Sequence, residues 1–449
     1  MNALSQYIQL YQEYRKDIEA HSPALLNRYR PTALADLMQA RFPEKGDEGY
    51  PALSVNKMFE PDYGVNINRV PFGVNAAESF RCGVPNISTL LALVVNDAFV
   101  PTAGLERNLP KGVEVMSLAK AAELLPDQVG KYYNTLALPR RGATAPAALN
   151  SLLVEDGVFV HVAKGVKLDK PLQIVNISNA SAPFLAIRRL LIVLDEDAEA
   201  SILLCDHSAS QEVKYLNCQV AEVFLEPGAK LGYYEIEESS AHTSRHSQFF
   251  ASQAERSTLI LNGTSLIGGV AQNDYSVEHI GHHADTKLTG MVIADGEESV
   301  GNSTLVLHNH PQCHSDQSFK YILDDRSQGS FYGRIIVDEK AKFTKAYQSN
   351  RNILASADAR MHTRPQLEIY CDEVKCSHGA TVGQLDANAL FYMRQRGIPE
   401  AEAKMMLMQA FMGDVIDTVE IPALRSRLHQ LVEARLSGNR QLCADCQNC

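Results

Sequence analysis

Three stretches of this chain, Val162-Ala163-Lys164-Gly165-Val166, Leu194-Asp195-Glu196-Asp197-Ala198 and Leu225-Glu226-Pro227-Gly228-Ala229, repeat one layout at near-constant spacing. An apolar residue leads in, turn formers hold the third and fourth positions, and the fifth is small or branched. The intervals are 32 and then 31 residues. A fixed period in this range marks a repeat architecture, whose units bury their apolar faces only against their neighbours. Later the spacing halves: Ile322-Leu323-Asp324, Ile336-Val337-Asp338, Ile353-Leu354-Ala355 and Ile369-Tyr370-Cys371 begin 14, 17 and 16 residues apart. Two strands per turn of a solenoid produce both intervals. We therefore read a parallel β-helix over 131–382, with the repeat plainest from about 150. A β-sandwich would bring hairpin turns and strands every ~8–12 residues, and Asn-Gly occurs once, at Asn262-Gly263.

The flanks read as helical. Leu4, Tyr7, Ile8, Tyr11, Tyr14 and Ile18 fall at helical spacing. Ser22-Pro23 reads as a cap and first-turn proline opening a second helix, and Thr32 to Phe42 as a third. Pro43 to Tyr63 reads as a loop, Leu91 to Val100 as a strand and Ser117 to Leu125 as a short helix. These make a mostly helical N-terminal domain over 1–130. After the repeat, helices are expected from Asp386 to Arg396, from Pro399 through a methionine-rich run (Met405, Met406, Met408, Met412) and from Pro422 to Gly438. They form a C-terminal helical domain over 383–438, followed by a cysteine-containing tail over 439–449. The methionine-rich helix suits burial in a small bundle, or docking of another subunit, since unbranched thioethers adapt to a partner's shape.

A net charge of -11 without a basic run argues against nucleic acid. The N-terminus lacks the pattern of a secretory signal, and no apolar run approaches the roughly 18–20 residues that span a bilayer. The expectation is a cytoplasmic protein with reduced cysteines.

Chemistry concentrates in a few places. On a strand, Cys376 and His378 share a face, so one metal ion reaches both. His279, His282 and His283, and then His308, His310 and His314 beside Cys313, form two clusters, with His308 and His310 read on one strand face. They suit either half-exposed solenoid strands or a metal. Cys443, Cys446 and Cys449 space three thiols at i, i+3 and i+6, and a zinc ion or cluster needs a fourth ligand. Gly296-Glu297-Glu298-Ser299-Val300-Gly301-Asn302-Ser303 has the outline of a phosphate loop, but Asn302 replaces its lysine and two glutamates repel the anion. No Gly-x-Ser-x-Gly elbow is present. No complete catalytic set emerges.

Cys313-His314-Ser315-Asp316-Gln317, Ser330-Phe331-Tyr332-Gly333-Arg334-Ile335, Ala346-Tyr347-Gln348-Ser349-Asn350-Arg351-Asn352, Pro365-Gln366-Leu367-Glu368-Ile369, Lys375-Cys376-Ser377-His378-Gly379-Ala380-Thr381 and Leu390-Phe391-Tyr392-Met393-Arg394-Gln395-Arg396-Gly397-Ile398 resemble the SufB/SufD family of iron-sulfur cluster assembly proteins. The match is dense from about 300 to 420 and looser before it, and the form at 375–381 is that of the SufD branch. The resemblance implies a right-handed parallel β-helix between helical domains. It also implies a non-enzymatic scaffold in a complex with SufB and two copies of the ATPase SufC.

By the same resemblance SufC docks on the C-terminal helices, and its ATP-driven dimerisation pulls on the SufB-SufD pair. SufB pairs through the last strands of the β-helix, and His378 stands where a nascent cluster or iron forms between the chains, with Cys376 as adjacent thiol. A homodimer of the isolated chain fits a pair-forming family. Flavin binding and a role for Cys443, Cys446 and Cys449 are left open. The Lys45 to Tyr50 loop departs from the aromatic, tryptophan-containing segment expected there. Two alternatives stand beside this reading: a SufB-like sulfur acceptor using Cys376 and Cys371, and a metal-dependent β-helix enzyme built on His279, His282, His308 and His310.

Overall fold

The computed structural model describes residues 3–70 and 88–438, and one sequence period is one turn of a parallel β-solenoid of about eight turns. Ahead of the repeat lie helices α1 (Ala3–Ala20), α2 (Ala24–Asn27), α3 (Arg30–Gln39) and α4 (Val55–Phe59), then strands β1 (Leu90–Val95) and β2 (Ala98–Val100). Helix α5 (Ala103–Asn108), strand β3 (Val113–Ser117) and helices α6 (Leu118–Leu124), α7 (Pro126–Tyr132) and α8 (Ala145–Leu153) follow. One sheet of the solenoid stacks β5 (Leu172–Ser178), β7 (Glu199–Ser208), β9 (Lys230–Glu238), β11 (Thr258–Ile267), β13 (Asp285–Ala294), β15 (His314–Leu323), β17 (Lys345–Leu354) and β19 (Lys375–Gly383). The other stacks β4 (Val158–Val162), β6 (Phe184–Leu194), β8 (Tyr215–Leu225), β10 (Thr243–Gln253), β12 (Val270–His279), β14 (Ser299–His308), β16 (Gln328–Val337) and β18 (Arg360–Ile369). Helices α9 (Ala387–Gln395), α10 (Glu400–Ile416) and α11 (Pro422–Leu436) complete the described chain.

The aligned pattern is the turn from the even-numbered to the odd-numbered sheet. Gly165, Asp197, Gly228, Arg256, His283, Gln312 and Phe343 each take a positive φ there, a conformation that reverses the chain in a tight turn. The next residue is small and buried in most turns: Ala198, Ala229, Ser257, Ala284, Cys313 and Thr344. Side chains alternate in and out along each strand, and the inward apolar set of both sheets forms one continuous core.

Part of the interior is charged. Arg188 Nη1 bonds Asp206 at 2.9 Å, Arg245 Nε lies 3.1 Å from the other Asp206 oxygen, and Arg245 Nη2 lies 3.2 Å from Glu235. Two guanidiniums facing two carboxylates satisfy the pairing that buried charge requires.

Helices cover both outer faces. Residues of α1, α3, α4 and α8 pack on Leu185, Ile187, Leu216 and Cys218 of the even sheet, while α10 and α11 pack on the odd sheet around Val175, Leu203 and Ile236. Buried Arg189 pairs with Glu222 at 2.6 Å, and Glu222 also accepts from the backbone N–H of Asn134, Leu136 and Ala137, pinning that loop to the solenoid. Leu91–Val100 proves to be a hairpin, not one strand: Asn96 turns at φ 57° and β1 pairs antiparallel with β2. Strand β1 also extends the odd sheet through β5, and β3 pairs antiparallel with β4. The third helix starts at Arg30, not Thr32, and Ser22 makes no cap bond to α2, donating instead to Ile18 O.

Candidate functional site at the open end of the solenoid

Strands β18 and β19 end their sheets: β18 pairs only with β16 and β19 only with β17. Their outer edges therefore offer unpaired backbone groups, the usual template for another strand. Cys376 lies beside Ala346 and His378 beside Gln348 in the parallel register. Cys376 is half-buried, packed with Ile335, Val337, Ala346, Leu367 and Cys371. His378, two residues on and on the same face, is exposed. Burial raises the Cys376 thiol above its usual range, so it stays protonated at neutral pH until a metal displaces the proton.

Apolar side chains surround this pair without cover. Val382 is 46% exposed on β19, Ile369 at the end of β18 and Tyr370 just after it are exposed, and Phe391 is 63% exposed on α9. Helix α9, capped by Asp386 through the N–H groups of Asn388 and Ala389, buries none of its residues. It joins α10 through an Arg394–Glu400 ion pair at 3.3 Å.

Helix α10 is divided. Met412, Val415 and Ile416 are buried against the odd sheet, while Met406 is exposed. Lys320 of β15, itself buried, donates to Phe411 O and Asp414 Oδ2, both at 2.6 Å. The methionine-rich helix is thus core at its C-terminal half and mostly open surface at its N-terminal half, where Ala403 is the buried residue.

The histidine clusters resolve differently. His279 and His308, last residues of β12 and β14, are buried with their Nδ1 atoms 3.1 Å apart, and they contact Thr286 and Ser315 through Nε2. Burial holds both imidazoles below their ordinary range, His308 at about 3. His310 falls in the turn after β14, so it does not share a strand face with His308. His283 is a positive-φ turn residue, and His314 bonds Asp285 at 2.7 Å. Cys313 fills the small position of its turn, its thiol pushed up to about 11 by burial. Among the described residues no three His, Cys, Asp or Glu side chains converge as metal ligands. The stacking of His279 on His308 was readable from their 29-residue separation, close to one turn. Gly296 turns between β13 and β14 instead of opening a helix, consistent with the rejected phosphate loop. Cys443, Cys446 and Cys449 lie outside the described residues. No described helix is long and apolar enough to cross a membrane.

The family model for the SufBD core domain of SUF system FeS cluster assembly matches residues 176–411, and that for the SufBD protein N-terminal region matches residues 1–174. An iron-sulfur cluster assembly SufBD family protein of Synechocystis is 27% identical over 410 residues, 89% of each chain. Iron-sulfur cluster assembly protein SufD of Escherichia coli is 28% identical over 296 residues, 65% of this chain and 69% of the relative. The SufD of Bacillus subtilis is 24% identical over 333 residues, 73% and 74% of the two chains.

Proposed function

This chain belongs to the SufBD family of SUF system iron-sulfur cluster assembly proteins, and from that membership we propose that it is a non-enzymatic, SufD-type scaffold subunit working in the cytoplasm with SufB and two copies of the ATPase SufC. The observation that carries the proposal is the uncapped last turn. A solenoid needs its terminal turn covered, yet here two edge strands and exposed apolar residues lie around Cys376 and His378. SufB is the cover we assign to it.

A thiol and an imidazole suit iron, but a cluster commonly takes four protein ligands. Cys376 and His378 therefore make half a site, with iron or a nascent cluster as transient cargo and the remaining ligands on SufB. The exposed N-terminal half of α10, together with α9, is the SufC docking surface in this reading. Movement of SufC then reaches the sheet through Met412, Val415, Ile416 and the Lys320–Asp414 pair, and draws the shared site open. The sulfur-acceptor alternative has less support, since the raised Cys376 thiol is a weak nucleophile.

The test is co-purification with SufB and SufC, followed by cluster assembly in cells whose own copy is deleted. His378→Ala is expected to leave the complex intact and lower cluster formation. Undiminished assembly would remove His378 from the site. Failure to recover SufB or SufC would overturn the scaffold reading itself.

A further inference from the structure

A second concavity lies on the outer face of the even sheet, across β10 to β16 and under the N-terminal region. Its floor is a patch of outward-facing residues in register on adjacent strands. Asp274, Ser303 and Tyr332 form one row, and Phe250, Ser276, Leu305 and Arg334 the next. Its roof is two glycine turns. Gly49 and Gly142 both take positive φ, and a Cβ on either would stand 3.5 Å from Ser303 Oγ or Leu305 Cδ2. The half-open cavity is about 230 Å³, room for several waters or a small ion.

Arg141 lines this cavity and is 8% exposed. Its Nη2 pairs with Glu278, but Nε and Nη1 have no partner. A buried guanidinium with unused N–H groups is costly unless something accepts from them. Arg334 lines the same cavity, with its Nε on Glu368 at 2.6 Å. The two acidic lining residues are already engaged. Asp274 accepts from Tyr50, Gln248 and Gln272, and Glu48, at the exposed rim, accepts from Tyr332. Ser276 and Ser303 add hydroxyls, while Phe250 and Leu305 supply apolar wall.

We propose that this cavity binds a small oxyanion, a phosphate or a short carboxylate, between Arg141 and Arg334. Bound there, the anion ties the N-terminal region to the outer face of the even sheet, whereas Cys376 and His378 lie on the odd-sheet strand β19.

The test is isothermal titration of the full chain with inorganic phosphate and, separately, with malonate, against chloride at equal ionic strength. One probe is expected to saturate at one molecule per chain, and which one saturates identifies the head group. Arg334→Gln, on a partly exposed side chain, and Ser276→Leu, which fills the cavity, are each expected to weaken binding at least about tenfold, the loss of one charged hydrogen bond. Arg141→Lys, which keeps the charge toward Glu278 but loses the fork, is expected to do the same. Saturation by neither probe, or undiminished affinity in Arg334→Gln and Ser276→Leu with unchanged circular dichroism, would overturn the proposal.

Discussion

Glu235 and Glu237 stand two residues apart on β9 and face the same interior, yet they are not equivalent. Glu235 accepts from Tyr233, Tyr275 and Arg245. Glu237 receives only a 3.4 Å bond from Ser265, and its Oε1 has no partner. Burial therefore pushes the Glu237 carboxyl up to about 7, with Arg245 opposing and Asp206 and Glu235 adding to the rise. A carboxyl raised in the folded state binds more protons there than when unfolded, so stability falls as pH climbs from the unfolded value through about 7. Glu237→Gln is expected to match the wild type near pH 4 and to exceed it at pH 8 by up to ~3 kcal/mol, read as unfolding midpoints across pH. Equal midpoints at pH 8 would show that Glu237 is not charged at a cost there. Glu222 is the converse case: buried, ion-paired and bonded to three backbone N–H groups. Glu222→Ala is expected to cost about 3–5 kcal/mol, because it strands Arg189, and denaturant unfolding measures it.

The C-terminal helices hold the solenoid through several polar contacts: the Lys320 ammonium on Phe411 O and Asp414, Asn262 on Val415 O, and buried Arg435 of α11 on Leu266 O, Asp295 and Glu298. Lys320→Ala is expected to loosen α10 while the sheets persist. Limited proteolysis then cuts at 396–400 faster than in the wild type, leaving a protected solenoid fragment. Unchanged cleavage kinetics would mean that Met412, Val415 and Ile416 suffice. At this scale the sequence was most legible at the turns: an apolar lead, a position suited to positive φ and a small buried residue recur in most of the passages from the even to the odd sheet. Inside the strands it was least legible. Arg188, Asp206, Glu235 and Arg245 occupy inward positions that alternation alone assigns to solvent, because their mutual pairing, invisible in one dimension, is what admits them. The β1–β2 hairpin reads as one strand in the sequence because Asn96-Asp97 is a brief break in an apolar run. His310 shares a face with His308 only on a strand two residues longer than β14, which ends at His308.

At the scale of the molecule the two ends of the solenoid differ. Strands β1 to β3 and the N-terminal helices close the first turns, whereas β18 and β19 finish without cover. Cys376 and His378 were legible as a pair because strand alternation fixed their common face; their place in the last turn of the repeat already put that face by an edge strand, and the assembled sheets bear it out. An uncovered edge with Val382, Ile369, Tyr370 and Phe391 exposed offers a partner unpaired backbone groups and apolar side chains together. In the absence of SufB, the same surface on a second copy is the available complement, and a two-fold arrangement lets each edge strand meet its twin. The isolated chain is therefore expected to sediment as a dimer at micromolar concentration. Val382→Lys places a charge on the edge strand, the device by which sheets avoid pairing, and is expected to give a folded monomer. Adding SufB to the wild type is expected to replace the dimer by a heterodimer, since both partners claim one surface. A Val382→Lys chain that still dimerises would place self-association elsewhere, and a homodimer that binds SufB without dissociating would separate the two surfaces.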